Sequence, residues 1–192
     1  MGEYYKIVNL NKRQYSSADI FMEGIKGRGI MRGIHAYAFG KLLTYGGLPE
    51  NNSKWRKDNP TGVWAGCWAG DRIAIVGDET EDPGEFLGVE LSDSATNPLV
   101  LDEILRLEFE NIGGKLICWL VNDADVAERL LERLRQSEHY FGVVGYIAHK
   151  YRYGDVSKDL IKFLDQHFSK IWEKKYKRIL EDRGNTFIEP DV

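Results

Sequence analysis

Hydrophobic and polar residues show their clearest local pattern in residues 62–79, where two apolar runs flank the pair Gly70-Asp71. A two-residue connection that begins with Gly is typical of a type II′ hairpin turn, because Gly tolerates a positive φ. Pairing outward from this turn would place Trp68 opposite Ile73. Since both faces of such a hairpin are largely apolar, the pattern predicts the centre of a sheet, with helices packed on at least one side.

A second alternation of apolar and charged residues leads into Gly113 and the glycine after it, and a nearly continuous apolar run follows. The pattern predicts a second hairpin over residues 105–121, with the glycine pair at its turn. A helix over residues 99–112 is a competing interpretation, because an Asn-Pro pair begins it well. Residues 97–112 are therefore open between strand and helix.

Three longer segments carry apolar residues at the three- and four-residue spacing of an amphipathic helix. These segments cover residues 30–45, 124–136 and about 155–182. Residues 140–151 show the same spacing, but Gly142 and Gly145 weaken the prediction of a helix there, because Gly is a poor helix former. Shorter patterns predict strands over residues 4–10 and 86–91, a turn over residues 11–13 and a helix over residues 18–23.

Together these elements predict an α+β fold. Its mostly antiparallel sheet is built on the hairpins 62–79 and 105–121 and is packed with about three main helices. A chain of 192 residues is long enough for one domain with its own core. We assign residues 1–184 to that single domain and residues 185–192 to a C-terminal tail.

The composition is that of an ordinary globular protein, with 43% hydrophobic and 29% charged residues. The apolar runs are too short to span a membrane, and no secretory signal pattern opens the sequence. Both cysteines, Cys67 and Cys118, lie in apolar runs predicted to be strands and are interpreted as buried free thiols, with a disulfide between neighbouring strands as the alternative. These features predict a soluble, cytoplasmic protein without membrane contact, and they indicate no oligomeric state.

Charge is distributed unevenly along the chain, although the net charge is only −4. Residues 1–57 carry ten Lys and Arg against four Asp and Glu, whereas residues 71–134 carry five against sixteen. Such a split is typical of a basic site for an anionic ligand, or of two solvated surfaces of opposite charge.

The glycine-rich segment 24–33 is the best candidate for an anion site. It leads into the helix predicted from residue 30, and the free N–H groups at a helix N-terminus bind anions. Lys26, Arg28 and Arg32 add positive charge, which suits a phosphate-bearing small molecule. The segment matches neither a P-loop nor a dinucleotide-binding fingerprint, because the Gly-Lys-Ser/Thr sequence and a directly preceding strand are absent. A basic loop without a ligand is the alternative interpretation.

The ends of the first predicted hairpin are the second candidate site. Asp71 and Arg72 lie at its tip and Asp78 at its far end, where Arg72 and Asp78 are candidate ligand-binding residues. Asp71 is a weak candidate for a catalytic base, and His35, near the glycine-rich segment, is a better one. The four histidines show no metal-ligand spacing and no Ser or Cys has a nucleophile context, so neither metal nor cofactor is predicted.

Three short segments resemble a loose family of uncharacterised proteins. The sequence of residues 68–78, Trp-Ala-Gly-Asp-Arg-Ile-Ala-Ile-Val-Gly-Asp, is similar to a segment shared by that family. Residues 5–15 resemble its N-terminus, and residues 153–157 resemble a short phrase that follows its hairpin. The match covers less than a fifth of the chain and implies an insertion over residues 86–149. Because no activity is known for the family, the resemblance implies no residue role.

These observations predict a non-catalytic module that binds a partner protein or a ligand, for example an anionic small molecule. The alternative is a hydrolase or transferase acting on a phosphorylated substrate, with the glycine-rich segment holding phosphate and His35 or Asp71 as base. A third interpretation, nucleic-acid association through the Lys-rich end of the last helix, fits an acidic chain less well. Whether the protein is an enzyme is left open.

Overall fold

The structure, a computed structural model, describes residues 5–17, 33–44, 60–77, 80, 83–88, 101–169 and 171–182. Its strands are β1 (Tyr5–Asn9), β2 (Gln14–Ser17), β3 (Ile73–Gly77) and β4 (Glu110–Asn111). Its first four helices are α1 (Gly33–Leu43), α2 (Pro83–Leu87), α3 (Leu101–Glu108) and α4 (Gly113–Leu120). The chain continues with α5 (Ala124–Gln136), α6 (Glu138–Lys150), a 3-10 turn (Arg152–Gly154), α7 (Lys158–Phe168) and α8 (Ile171–Asp182). The fold class is α+β, as the sequence predicts.

The four strands form one mixed sheet in the order β3-β1-β2-β4. Strand β1 pairs antiparallel with β2, with Ile7 opposite Ser16, and antiparallel with β3, with Ile7 opposite Ile75. Strand β4 adds a short parallel pair to β2. The predicted turn over residues 11–13 joins β1 to β2, because the Oδ1 of Asn9 accepts the backbone N–H groups of the first two turn residues.

The prediction of a hairpin over residues 62–79 is wrong in its first half. Strand β3 forms, but its partner is β1, and the residues before it make successive turns. The N–H of Gly66 donates to the carbonyl of Lys41 at 2.8 Å, and the N–H of Trp68 donates to Leu42 at 2.9 Å. The segment therefore closes the C-terminal end of α1 rather than pairing with the strand that follows it.

Backbone geometry explains this correction. Gly66 and Gly70 both have positive φ, 79° and 83°, so the chain cannot stay extended through them. Trp68 between them is fully buried, packs edge-to-face on Phe39 and donates its indole N–H to Oε1 of Gln14 at 2.9 Å. The turns thus insert the tryptophan into the core, and the predicted central position of this segment is kept without a strand.

The prediction of a second hairpin over residues 105–121 is also wrong. Its first half lies in α3, as the competing helix interpretation proposed, and its second half is α4. Leu101, Ile104 and Leu105 are buried at helical spacing, whereas Leu107, which a strand would place on the same face as Leu105, is 71% exposed. The glycine pair at residues 113–114 begins α4 instead of turning a hairpin, and Oδ1 of Asn111 accepts the first N–H of that helix.

The helical predictions agree better with the structure. Helix α5 has its predicted bounds, α1 covers residues 33–43 of the predicted 30–45, and residues 140–151 lie largely in α6. The predicted helix from about 155 to 182 is divided into α7 and α8 at Ser169, which has a positive φ of 51°. Eight helices form within the described ranges, against about three predicted, and the strand predicted over 86–91 begins inside α2. The helix predicted over 18–23 and the tail at 185–192 lie outside the described residues.

Two apolar clusters cover the two faces of the sheet. Val8 belongs to the smaller one, which the sheet shares with α2 and α3. Ile7 belongs to the larger one, which includes residues of α1 and of α4 to α8. In the part of the chain that is described, no helix combines the length and apolar character needed to cross a membrane.

Candidate functional site

Most of the residues predicted to bind an anion lie outside the described part of the chain. The structure does not describe Lys26, Arg28 and Arg32 of the glycine-rich segment, nor Asp78. Only Gly33, the last glycine of the segment, is described; it begins α1 with a positive φ of 63°. The anion site at this segment therefore stays a prediction.

His35 lies on the side of α1 that faces the large apolar cluster. Its side chain is only 1% exposed, and it is flanked by the equally buried Ile34 and Ala38. A general base must reach a substrate proton within hydrogen-bonding distance. Burial at this depth favours a structural histidine over a catalytic one.

Asp71 and Arg72 connect the start of β3 to the β1–β2 turn. Oδ2 of Asp71 accepts the side-chain N–H of Asn9 at 2.8 Å and the ammonium of Lys12 at 2.5 Å. Burial alone would raise the pKa of the Asp71 carboxyl, but these two hydrogen bonds outweigh it and hold the pKa below its ordinary value. The backbone N–H of Arg72 donates to Oδ1 of Asn11, while its side chain is exposed. This arrangement fastens two strands together and leaves Asp71 a poor base.

A cavity lined by described residues lies elsewhere, between α1 and α5. Its volume is about 220 Å³. It is lined by Gly33, Ile34, Tyr37, Asp125, Val126 and Arg129. Ile34 and Val126 are buried and form an apolar floor, whereas the other side chains bring a phenol, a carboxylate and a guanidinium to the same space.

Asp123, just before α5, holds the two helices of the cavity together. Its Oδ2 accepts the phenol O–H of Tyr37 at 2.6 Å and the ammonium of Lys41 at 2.9 Å. Its Oδ1 accepts the backbone N–H of Asp125 at 3.2 Å, which caps the N-terminus of α5. Tyr37 and Lys41 are four residues apart on α1 and therefore share one side of that helix.

The charges of this cluster reinforce one another. Hydrogen bonds from Tyr37 and Lys41 lower the pKa of Asp123, against the opposing effect of burial. Hydrogen bonds with Tyr37 and Asp123 raise the pKa of Lys41, again against burial. The ammonium of Lys41 also lies 4.9 Å from the ring centroid of Tyr37, within the range of a cation–π contact. Asp123 is thus ionised and fully engaged at neutral pH, and Tyr37 is fixed as one wall of the cavity.

Asp125 and Arg129 supply the remaining charge of the cavity. They stand four residues apart on α5, and both side chains are exposed. Neither side chain forms a hydrogen bond or an ion pair with another residue of the described ranges, and the two do not pair with each other within 4.0 Å. Two opposite charges therefore face one small cavity while both remain open to a ligand.

Sequence reasoning missed this group because its members come from distant parts of the chain. In the sequence, Tyr37 is one position of the helix predicted over residues 30–45 and Asp123 directly precedes the helix predicted over residues 124–136, so neither is marked as a site residue. The Asp125–Arg129 spacing was the available signal, since it puts opposite charges on one helical side. Nothing local indicated that α1 packs beside that side.

Other predicted chemistry is not assembled in the described ranges. There, no group of three or more His, Cys, Asp and Glu residues is placed to hold a metal ion. Both thiols are free, but Cys67 lies in turns and is only half-buried, and Cys118 lies in α4, which corrects the prediction of two buried strand cysteines. Burial raises the pKa of Cys118 to about 12, so this thiol stays protonated and unreactive at neutral pH.

The basic end of α8 offers little to nucleic acid. Trp172 and Tyr176, the aromatic residues that would stack on bases, are buried, with exposed fractions of 1% and 7%. Lys175 and Arg178 each pair with Glu138 of α6, at 3.7 Å and 3.0 Å. This surface is therefore partly neutralised and lacks accessible rings.

Comparisons of the chain with protein-family models, with curated proteins and with solved structures found no match. The resemblance of residues 5–15, 68–78 and 153–157 to an uncharacterised family consequently stays a prediction.

Proposed function

We propose that this protein is a ligand-binding module that holds a small polar molecule with an anionic group in the cavity between α1 and α5. The observation that carries the proposal is that two charged side chains without a partner among the described residues, Asp125 and Arg129, line a cavity of about 220 Å³. Small-molecule sites usually combine an apolar lining with a few convergent polar groups, and this cavity has both.

The cavity volume limits the size of the ligand. Pockets for drug-sized molecules measure roughly 300–1,000 Å³, and this one is smaller. The apolar floor of Ile34 and Val126 suits a short hydrocarbon part, and the ring of Tyr37 gives a rigid side wall. A metabolite of a few heavy atoms fits this description better than a nucleotide does.

Arg129 is the proposed contact for the anionic group. A guanidinium carries five N–H donors in a planar arrangement that matches a carboxylate or phosphate with two parallel hydrogen bonds. Lys26, Arg28 and Arg32, which lie outside the described residues, remain predicted anion-binding residues of the glycine-rich segment. A phosphate-bearing molecule and a carboxylate are both compatible with this contact.

Binding without catalysis is the better supported class. The two candidate bases of the enzymatic alternative are a deeply buried His35 and an Asp71 whose Oδ2 already accepts two hydrogen bonds. Neither residue lines the cavity. The two bases that the sequence offers to a hydrolase or transferase acting on a phosphorylated substrate therefore lie away from this cavity.

The proposal is tested by NMR titration of the uniformly ¹⁵N-labelled protein with inorganic phosphate and with butyrate. We expect at least one probe to shift the backbone amides of Gly33, Tyr37 and Arg129 progressively. Replacement of Arg129 by Gln should weaken that binding about tenfold or more, because it removes a charge-assisted hydrogen bond.

The control is Arg135→Gln, an equal charge change at an exposed position of the same helix that does not line the cavity. This variant should bind as the wild type does. Shifts spread over the whole surface, or equal loss of binding in both variants, would show that the probes respond to net charge and not to the cavity.

A further inference from the structure

We infer that the ligand of this cavity is a small zwitterion, a molecule with an ammonium group and a carboxylate separated by a short hydrocarbon chain. The inference rests on the proposed function of the α1–α5 cavity and adds the second charge of the ligand. It follows from the juxtaposition of Asp125 and Arg129 in one cavity wall.

Asp125 and Arg129 do not form an ion pair with each other. Asp and Arg four residues apart on a helix commonly form an ion pair, although a weak one. Here the carboxylate of Asp125 and the guanidinium of Arg129 stay more than 4.0 Å apart, and no other described residue neutralises either of them. Both charges are consequently available at the same time.

A ligand with a single charge would meet one side chain of the same sign in this cavity. An anion held by Arg129 would lie close to the carboxylate of Asp125, and this repulsion grows as water leaves the cavity. A cation held by Asp125 would meet Arg129 in the same way. A ligand that carries both signs gives each side chain an opposite charge and leaves neither one desolvated without a partner.

Asp123 and Lys41, two other charged residues near the cavity, already bind each other. The oxygens of Asp123 already accept the hydroxyl of Tyr37, the ammonium of Lys41 and the N–H that caps α5. Lys41 is held in that same cluster. Neither residue is released to bind the ligand without breaking the link between the two helices, so recognition falls to Asp125 and Arg129.

The spacing of Asp125 and Arg129 on α5 sets the length of the ligand. Side chains four apart on a helix have Cβ atoms about 5–6 Å from one another. A ligand that pairs with both therefore needs its own charges separated by a comparable distance, with methylene groups lying over Ile34 and Val126. γ-Aminobutyrate has this length, whereas glycine is too short to reach both.

The test compares probes of similar size by calorimetry: γ-aminobutyrate with both charges, butyrate with only the negative one, and butylamine with only the positive one. We expect γ-aminobutyrate to bind about tenfold or more tightly than either singly charged probe, and more tightly than glycine. Asp125→Asn and Arg129→Gln should each reduce its affinity by about the same factor. Asp125→Asn should leave butyrate binding unchanged or improved, because it removes the repelling carboxylate.

Glu128→Gln is the matched control, since it removes an exposed carboxylate of α5 that does not line the cavity. Equal affinities for γ-aminobutyrate and butyrate, with Asp125→Asn neutral for both, would overturn the zwitterion inference while the proposed anion site stands. If none of these probes binds and inorganic phosphate is also without effect, the zwitterion inference and the proposed function are both contradicted. Because the exposed side chains of Asp125 and Arg129 have no described partner, thermal unfolding should confirm that these variants fold normally.

Discussion

Two helix contacts of this protein are built in opposite ways. Where α6 meets α8, Gly145 lies directly against Tyr176, and a Cβ added at Gly145 would fall 2.7 Å from the Cγ of that tyrosine. Where α1 meets α5, a cavity of about 220 Å³ remains, and the helices are joined at its edge by Asp123. One contact is closed to a single methyl group and the other is open to a small molecule.

The two contacts also differ in the side chains that form them, which are aromatic at the closed contact and charged at the open one. At the closed contact, His149 stacks on Tyr176 with a centroid distance of 4.9 Å and lies 5.9 Å from the ring of Trp172. Trp172 is buried and donates its indole N–H to Asp165 at 2.8 Å. The open contact instead presents two charged side chains, Asp125 and Arg129, that have no partner in the described part of the chain. Close packing stabilises the fold, whereas a cavity lined by charged side chains leaves room and hydrogen-bonding groups for a ligand.

The largest effect is expected at the closed contact. Gly145→Ala should lower the free energy of unfolding by about 1–2 kcal/mol, because overpacking a tight core costs about 1–3 kcal/mol and the better helix propensity of Ala returns only part of it. The atoms nearest to the new methyl are the Cβ, Cγ and Cδ2 of Tyr176, the inner part of the side chain, which rotation moves least. Urea unfolding followed by circular dichroism measures the change.

Gly40 of α1 is the matched control, because nothing lies within 4 Å of the Cβ that it would carry. Gly40→Ala should therefore stabilise the protein by about 0.5–1 kcal/mol. In a Tyr176→Ala background, Gly145→Ala should lose its destabilising effect. A Gly145→Ala protein as stable as the Gly40→Ala protein would contradict the close contact of α6 and α8.

A smaller effect is expected at the junction of the open contact. Asp123→Ala should lower the free energy of unfolding by about 1 kcal/mol, since it removes the cap of α5 and the hydrogen bonds from Tyr37 and Lys41. Asp123→Asn keeps a capping side chain and should lose less. Thermal and urea unfolding of the three proteins give the order. Equal stability of the Ala variant and the wild type would mean that Asp123 does not join α1 to α5.

The smallest effect is a pH dependence at the closed contact. Burial lowers the pKa of His149, Arg152 and Lys177 lower it further, and only Glu173 raises it. The unfolded chain therefore binds this proton at a higher pH than the folded one, so the contribution of His149 to stability is complete above pH 6.5 and falls as the pH drops through 6.5 towards the folded pKa.

His149→Phe keeps an aromatic ring without a proton to bind. The stability of the wild type relative to this variant should decline on acidification from about pH 7.5 to about pH 5.5. Urea unfolding at several pH values provides the comparison, and the other histidines cancel because both proteins contain them. A stability difference that stays constant across the range would exclude the titration of His149 as a source of pH dependence.

The helical half of the fold was more predictable than the sheet. Helix α5 begins and ends as predicted, because a strong amphipathic pattern follows a residue, Asp123, that can cap it. The sheet was misassigned because the true partner of β3 is β1, and Ile75 pairs with Ile7 far back in the chain. A hairpin pattern describes only neighbours, so the local signal favoured a pairing that the turns at Gly66 prevent.

The site shows the same limit more strongly. The opposite charges of Asp125 and Arg129 are visible in the sequence as an ordinary helical pair, and Tyr37 is visible as an apolar position. Their meeting depends on the packing of α1 on α5, which is recorded by the hydrogen bond from Tyr37 to Asp123 across 86 residues. A contact between residues so far apart in the chain produces no periodic pattern in the sequence. The sequence therefore shows the residue types but not the cavity.

The most direct test of the central claim is to locate γ-aminobutyrate on the protein by intermolecular nuclear Overhauser effects in NMR. The account predicts contacts from the methylene protons of the probe to the ring of Tyr37 and to the methyl groups of Ile34 and Val126, which line the cavity. These contacts should weaken strongly in Arg129→Gln and persist unchanged in Arg135→Gln. Contacts that arise only at residues away from α1 and α5, or that survive unchanged in Arg129→Gln, would contradict the assignment of this cavity as the binding site.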